Sequence, residues 1–337
     1  MNIFVILFVA TLCLSCSEEF DANPRAKMPA RLAGQAANPT SKQTEKMMVK
    51  VKILGTAQDG GLPQLGCQKA HCQAAWNNPA RKRLVTSLAI IDYTSTQVFL
   101  VDATPDIREQ IHRIQQDADL KLRTAPNPVD GILLTHAHIG HYSGLVHLGF
   151  EALSSKKLPV FCTQRMAHFL SQNGPWSQLV RIKNIVLNEM TTDRTFSLTP
   201  QITVTALPVP HRDEYSDTVG FLIRGPDKSL LYIPDIDHWR TWDRSLPELL
   251  KDVDYAFLDG TFFSPAELPN RDLSKIKHPL ITDTMALLQE LVDQHTVQIY
   301  FTHLNHSNLL QDENSESRHL LKSKGFFMAE EGMEFEL

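Results

Sequence analysis

The chain has 337 residues, 42% of them hydrophobic and 21% charged, enough for one large α/β domain or two modest ones. Its formal net charge is −5 and no stripe of lysine and arginine stands out, which argues against a nucleic-acid partner. Fourteen histidines are spread along the chain, so only their local pattern carries information.

The N-terminus has its own grammar. An apolar run from Ile3 to Leu14 is too short to span a bilayer, which needs about 20 residues, but suits the core of a secretory signal. Cys16, after Leu12-Cys13-Leu14-Ser15, gives residues 1–16 the look of a lipoprotein signal with Cys16 as the lipidated residue. An ordinary cleaved signal or a plain membrane anchor is the alternative. Residues 17–47 are rich in Ala, Pro, Asn, Ser and charge and nearly free of large apolar side chains. Such a stretch cannot bury enough surface to offset its ordering entropy and reads as a flexible tether. The expectation is an exported protein, periplasmic or anchored as a lipoprotein, touching the membrane only through that anchor. The folded domain then spans residues 48–337.

From Val49 the pattern changes. Val49 to Leu54 alternates as a strand, and Val85 to Ile91 and Val98 to Val101 follow as strands. Pro105 to Gln116 opens on proline and repeats Ile107, Ile111 and Ile114 at helical spacing. Gly131 to Leu134 is a short apolar strand, Pro159 to Cys162 another, and Gln164 to Ser171 a helix. Strands follow at Ile202 to Leu207, Thr218 to Ile223, Ser229 to Ile233 and Tyr255 to Leu258. Thr282 to Asp293 reads as a helix, Val297 to Phe301 as a strand, and Asn308 to Lys322 as a helix. Phe326 to Met328 and Met333 to Leu337 close the chain as strands. Two strand-rich halves with helices and no linker between them imply one domain, two sheets packed face to face with helices outside.

The chemistry gathers at strand ends. His136, His138 and His141 lie in the stretch THAHIGHYSG that follows Leu133-Leu134. Alternate residues of an extended segment point the same way, so His136 and His138 can grip one ion, and His141 faces the same crevice from the next element. Neutral imidazole is the commonest protein ligand for zinc. Three further apolar strands deliver His211, Asp235 and His303 at their C-terminal ends. A lone histidine after a strand is usually a capping residue; four such ends in one chain point to a metal site.

The order THAHIGH, PVPH, YIPD and FTH resembles the metallo-β-lactamase superfamily over residues 49–337. Within it, VKILGTAQDGGLPQLGC, VDATPDIREQI and LDGTFFSPAEL followed by KHPL are similar to the pyrroloquinoline-quinone biosynthesis B proteins and the cyclic phosphodiesterases of phosphonate metabolism. The resemblance implies a four-layer αββα sandwich. It implies a first metal on His136, His138 and His211, a second on His141 and His303, and Asp235 bridging. Gly140 departs from the pattern, which has an aspartate ligand there, so the second position is expected to lack one carboxylate. The implied cofactor is one or two Zn2+, with iron or manganese as alternatives.

The same relatives carry CxCxxC where this chain has Cys67-Gln68-Lys69-Ala70-His71-Cys72. With His306, three residues after His303, Cys67, His71 and Cys72 would make a structural Cys₂His₂ zinc set. A Cys67–Cys72 disulfide, or free thiols, are the alternatives. Cys162 reads as a buried small hydrophobe. Asp102, ending a strand, is expected to accept from a ligand imidazole or to cap a loop. His278 is expected in the pocket with a catalytic role beside Asp235, and Asp59-Gly60-Gly61 reads as a turn that shapes the rim or simply reverses the chain. Trp239 and Trp242 beside His238 suit core packing better than a lid. The expected function is a metal-dependent hydrolase acting on a small molecule, at a phosphodiester or other ester-like bond. The alternatives are an iron-dependent oxidase or hydroxylase and a metal-holding module without catalysis.

Overall fold

The computed structural model describes residues 48–120, 126–269 and 271–337. The expected signal (1–16) and tether (17–47) lie outside the described residues. The first six strands are β1 (Val49–Gly55), β2 (Ser87–Asp92), β3 (Gln97–Val101), β4 (Gly131–Leu133), β5 (Leu158–Thr163) and β6 (Ile185–Met190). Seven more follow: β7 (Thr195–Ser197), β8 (Thr203–Pro208), β9 (Val219–Arg224), β10 (Ser229–Ile233), β11 (Tyr255–Asp259), β12 (Gln298–Thr302) and β13 (Phe327–Met328). The last, β14 (Glu334–Glu336), returns to the first sheet.

The sheets run β14-β1-β2-β3-β4-β5-β6 and β13-β12-β11-β10-β9-β8-β7. Each is antiparallel on one side and parallel on the other: β3 to β6 are parallel in the first, β10 to β13 in the second. The helices are α1 (Ala70–Asn77), α2 (Ile107–Gln115), α3 (Ile139–Tyr142), α4 (Gln164–Gln172), α5 (Trp176–Arg181), α6 (Leu246–Leu250), α7 (Ile281–Asp293) and α8 (Glu316–Ser323).

Three buried cores make four layers. Alternate residues of a strand point to opposite faces. In β2, Leu88 and Ile90 enter the core between the sheets with Phe221, Tyr232 and Phe257, while Ala89 and Ile91 pack outward with Ile107 of α2 and Met166 of α4. In the second sheet Leu231, Ile233 and Leu258 face Leu250 of α6, Leu288 of α7 and Leu321 of α8. With both faces buried, the central strands read as continuous apolar runs, and the architecture is the expected αββα sandwich.

Several elements differ from the sequence reading. The predicted helix at Asn308 to Lys322 breaks in two: Asn308 caps a single 3₁₀ turn at Leu309–Gln311, and the helix proper starts after Ser315, whose hydroxyl accepts from Arg318 N–H. Two capping side chains seven residues apart each start an element of their own. Strands β6 and β7 are additional; their half-exposed edge positions blur the apolar pattern that marks a buried strand. Trp239 and Trp242 are buried in the second sheet's outer core, donating their indole N–H to Thr284 Oγ1 and Pro208 O, so they pack rather than form a lid.

Candidate metal centre

The C-terminal ends of the parallel strands bring the site together. After β4, Thr135 and His136 continue extended to His138, and α3 starts at Ile139. The turn is tight because Gly144 donates to Ala103 O and a Cβ there would sit 2.8 Å from that oxygen. His211 follows β8, Asp235 follows β10, and His303 follows β12 with a left-handed φ of 59°.

Four ligand-type atoms converge from His136, His138, His211 and Asp235. His138 Nδ1 lies 2.8 Å from His136 Nε2 and 3.2 Å from His211 Nε2. Asp235 Oδ2 lies 3.1 Å from His211 Nε2, 3.4 Å from His136 Nε2 and 3.8 Å from His138 Nδ1. Each imidazole spends its other nitrogen on a polar partner. His211 Nδ1 donates to Asp237 Oδ1 at 3.1 Å, and His138 Nε2 to Glu214 Oε2 at 3.3 Å. His136 Nδ1 donates to Thr135 Oγ1 at 3.0 Å, whose own proton goes to Asp102. Such outer partners set the tautomer and aim the lone pair inward. Burial, together with the neighbouring His141, holds His136 well below the ordinary imidazole value, so it is neutral, the ligand form.

A second group holds Asp59, His141 and His303, and a third overlaps both positions with Asp235, Asp259, His278 and His303. His141 Nδ1 donates to Asp102 Oδ2 at 2.7 Å, the support expected of that strand-end aspartate. His303 Nδ1 pairs with Thr261 Oγ1 at 3.0 Å, and Thr261 donates to Asp259 Oδ1 at 2.8 Å. Aspartate and threonine thus orient the imidazoles the same way in both sheets. His141 Nε2, His303 Nε2 and Asp235 Oδ1 are buried without a hydrogen-bond partner. Orphaned buried polar atoms of this kind, all acceptors or ligands, fit a cation. Burial disfavours the charge on His141, but Asp102, Asp59 and Asp235 push it up to about 9. Burial would raise Asp235, yet His278, His303 and His211 hold it well below the usual carboxylate value.

His278 Nδ1 lies 2.9 Å from Asp259 Oδ2 and 3.2 Å from Asp235 Oδ1. Burial opposes its charge, but the two carboxylates hold it well above the ordinary imidazole range. It lines a cavity of about 610 Å³ with Trp239, Arg240, Leu246, Leu273 and Leu280. That volume suits a small molecule.

Away from this centre, Cys67, His71, Cys72 and His306 form a compact set. His71 Nε2 stands 3.2 Å from His306 Nδ1 and 3.8 Å from Cys67 Sγ; Cys72 Sγ is 3.4 Å from His306 Nδ1. A tetrahedron with ligands at 2.0–2.3 Å has edges of roughly 3.3–3.8 Å. The thiols are free, so the alternative of a Cys67–Cys72 disulfide is not what the structure contains.

Every residue expected at the site is brought into one of these groups. The sequence marks Asp59 as part of a turn, at the rim or plain, and not as a donor; its carboxylate accepts from Gly140 N–H at 3.0 Å and faces His141. Asp259 was missed, although it ends the apolar strand YAFLD as Asp235 follows LLYIP. Glu214 and Asp237 sit in loops and carry no such signal.

Residues 97–304 match the Beta-lactamase superfamily domain. The chain is 28% identical to the coenzyme PQQ synthesis protein B of Methylobacterium sp. (strain 4-46), over 83% of this chain and 97% of that protein. It is 28% identical to the same protein of Klebsiella pneumoniae (strain 342), over 84% and 96%. The fold is similar to the Zn2+-bound PqqB of Methylobacterium extorquens, with a TM-score of 0.71 at 24% identity over 86% of this chain and all of that one. It is also similar to a diphosphatase of the PhnP family, with a TM-score of 0.62 at 21% identity over 86% and 98%.

Proposed function

The chain belongs to the beta-lactamase superfamily, and on that premise we propose that it is a zinc-dependent hydrolase of a phosphodiester or other ester-like bond in a small molecule. The observation that carries this reading is the pair of converging donor sets that share Asp235, with His136, His138, His211 and His303 each steered by an outward partner. A divalent cation bound there would supply Lewis acidity and would lower the pKa of a bound water to about 7. His136, His138 and His211 would hold it. Asp235, between the two positions, orients the attacking water. His278 has Nδ1 committed to Asp259, which leaves Nε2–H to protonate the leaving-group oxygen at the cavity wall. The test is hydrolysis of bis(p-nitrophenyl) phosphate and an ester panel by the full chain, stripped of metal and reloaded with Zn2+. Turnover should appear with zinc and vanish with bound metal in His136→Ala and His211→Ala. Turnover at full rate in the stripped chain would sink the reading.

A second reading is supported by the relatives matched over nearly their whole length, which are PQQ synthesis proteins. Two histidines with a carboxylate suit iron(II), so oxidative chemistry is the alternative. Oxygen consumption that depends on Fe2+, with no hydrolysis under Zn2+, would favour it.

A further inference from the structure

The second position raises a question that Gly140 alone leaves open: what takes the place of a carboxylate there? His141 and His303 are fully buried, their ring centroids are 5.3 Å apart, and each has its Nδ1 committed elsewhere. Their Nε2 atoms point into one space without a hydrogen-bond partner. Buried polar atoms are costly to leave unsatisfied, and two imidazole nitrogens facing one space offer a place for a shared cation. The group that completes this space is Asp59. Its Oδ1 lies 3.7 Å from His141 Nε2, and the three ligand atoms of Asp59, His141 and His303 fall within 4.8 Å of one another. Asp235 Oδ2 stands 3.8 Å from His303 Nε2 on the other side.

The loop that brings Asp59 is built into the fold. Beyond β1, Ala57 bridges to Val85, just ahead of β2, and to Leu304, just after β12. Gln58 N–H donates to Leu304 O, and Asn305 Nδ2 donates to Gln58 Oε1. Asp59 is therefore tied to the segment that carries His303. Gly61, at φ +66°, then turns the chain away. The space Asp59 enters is the space a side chain at residue 140 would fill: a Cβ there would overlap Asp59 Oδ1 and lie 2.7 Å from its Cα.

We propose that Asp59 is a ligand of a second metal ion, with His141, His303 and Asp235, and that Gly140 is the vacancy that admits it. The carboxylate has moved from the helix start to the loop after β1, and the site is complete. This rests on the metal-centre reading above. The competing role for Asp59 is only to accept from Gly140 N–H, and asparagine can do that as well.

The experiment uses the full chain, stripped with a chelator and dialysed against Zn2+, with zinc per chain measured by mass spectrometry for the parent and Asp59→Asn. The expected result is one zinc fewer per chain in Asp59→Asn, with the melting temperature of the stripped forms unchanged. Should Asp59→Asn not fold, Asp59→Ser keeps an acceptor for Gly140 N–H and carries the same readout. Equal zinc content and affinity in parent and variant overturn the proposal while leaving His136, His138 and His211 as a mononuclear centre. No zinc in any form overturns both readings.

Discussion

Each inward-facing imidazole is steered by the nitrogen that faces away from the centre. Asp102 is the hub, accepting from His141 Nδ1, Thr135 N–H and Thr135 Oγ1 in full burial. Changing such an outer partner typically costs 10–100-fold in metal affinity. Asp102→Asn should therefore weaken zinc binding by about 10–100-fold, read by competition with a chelating dye; unchanged affinity would remove Asp102 from the support. Gly140 is set by packing. Gly140→Ala must push back the Asp59 backbone, and overpacking of this sort costs roughly 1–3 kcal/mol, measurable by urea unfolding. Farther away, burial pushes the Glu267 carboxyl up to about 7, against backbone N–H groups of Phe263 and Leu309 that favour its charge. The folded chain then keeps a proton that the unfolded chain releases from about pH 4.5 upward, so stability falls as pH rises from about 4.5 to about 7 and levels off above that. Glu267→Gln should flatten that decline between about pH 4.5 and 7; an identical slope would dissociate Glu267 from it.

At the scale of elements, strand ends and the loops they release hold the chemistry. Asp102 and His303 both adopt left-handed backbone at φ 65° and 59°. Such conformations are uncommon for side chains other than glycine and are kept where the surroundings enforce them. Around α1, Cys72 and His71 meet Cys67 and His306, so an ion there would tie the N-terminal loop to the segment after β12. Cys162 behaves differently: it is buried in β5, and burial pushes its thiol up to about 12. Thiol labelling should therefore spare Cys162 in the folded chain. Cys67 and Cys72 should be protected in the zinc-loaded protein and label after chelation. Labelling that ignores the chelator would argue that the thiols hold no metal.

At the scale of the whole molecule, the centre is a clasp between two sheets. His136, His138 and His141 come from the first sheet, His211, Asp235 and His303 from the second. A ligand that binds only the folded state adds about 4 kcal/mol at a thousandfold excess over its dissociation constant. Chelation should therefore lower the melting temperature markedly, and restoring Zn2+ should return it. A melting curve indifferent to chelation would mean that the donors hold no tight ion.

Much of this was legible from the chain alone. Apolar runs with a histidine or aspartate at their ends located His136, His138, His211, Asp235 and His303, because a buried strand needs a continuous apolar stretch and its exit is where polar groups can stand. The same rule would have found Asp259. It could not find Asp59, Glu214 or Asp237, whose segments have no period and acquire meaning only when a distant loop lies against them. Periodicity and strand ends are local properties, so the two sheets, their helical cover and the first donor set can be read along the chain. What faces the missing side chain of Gly140 comes from the folded chain, because it depends on the loop after β1 lying between the segments before β2 and after β12, and on a contact between residues 81 positions apart.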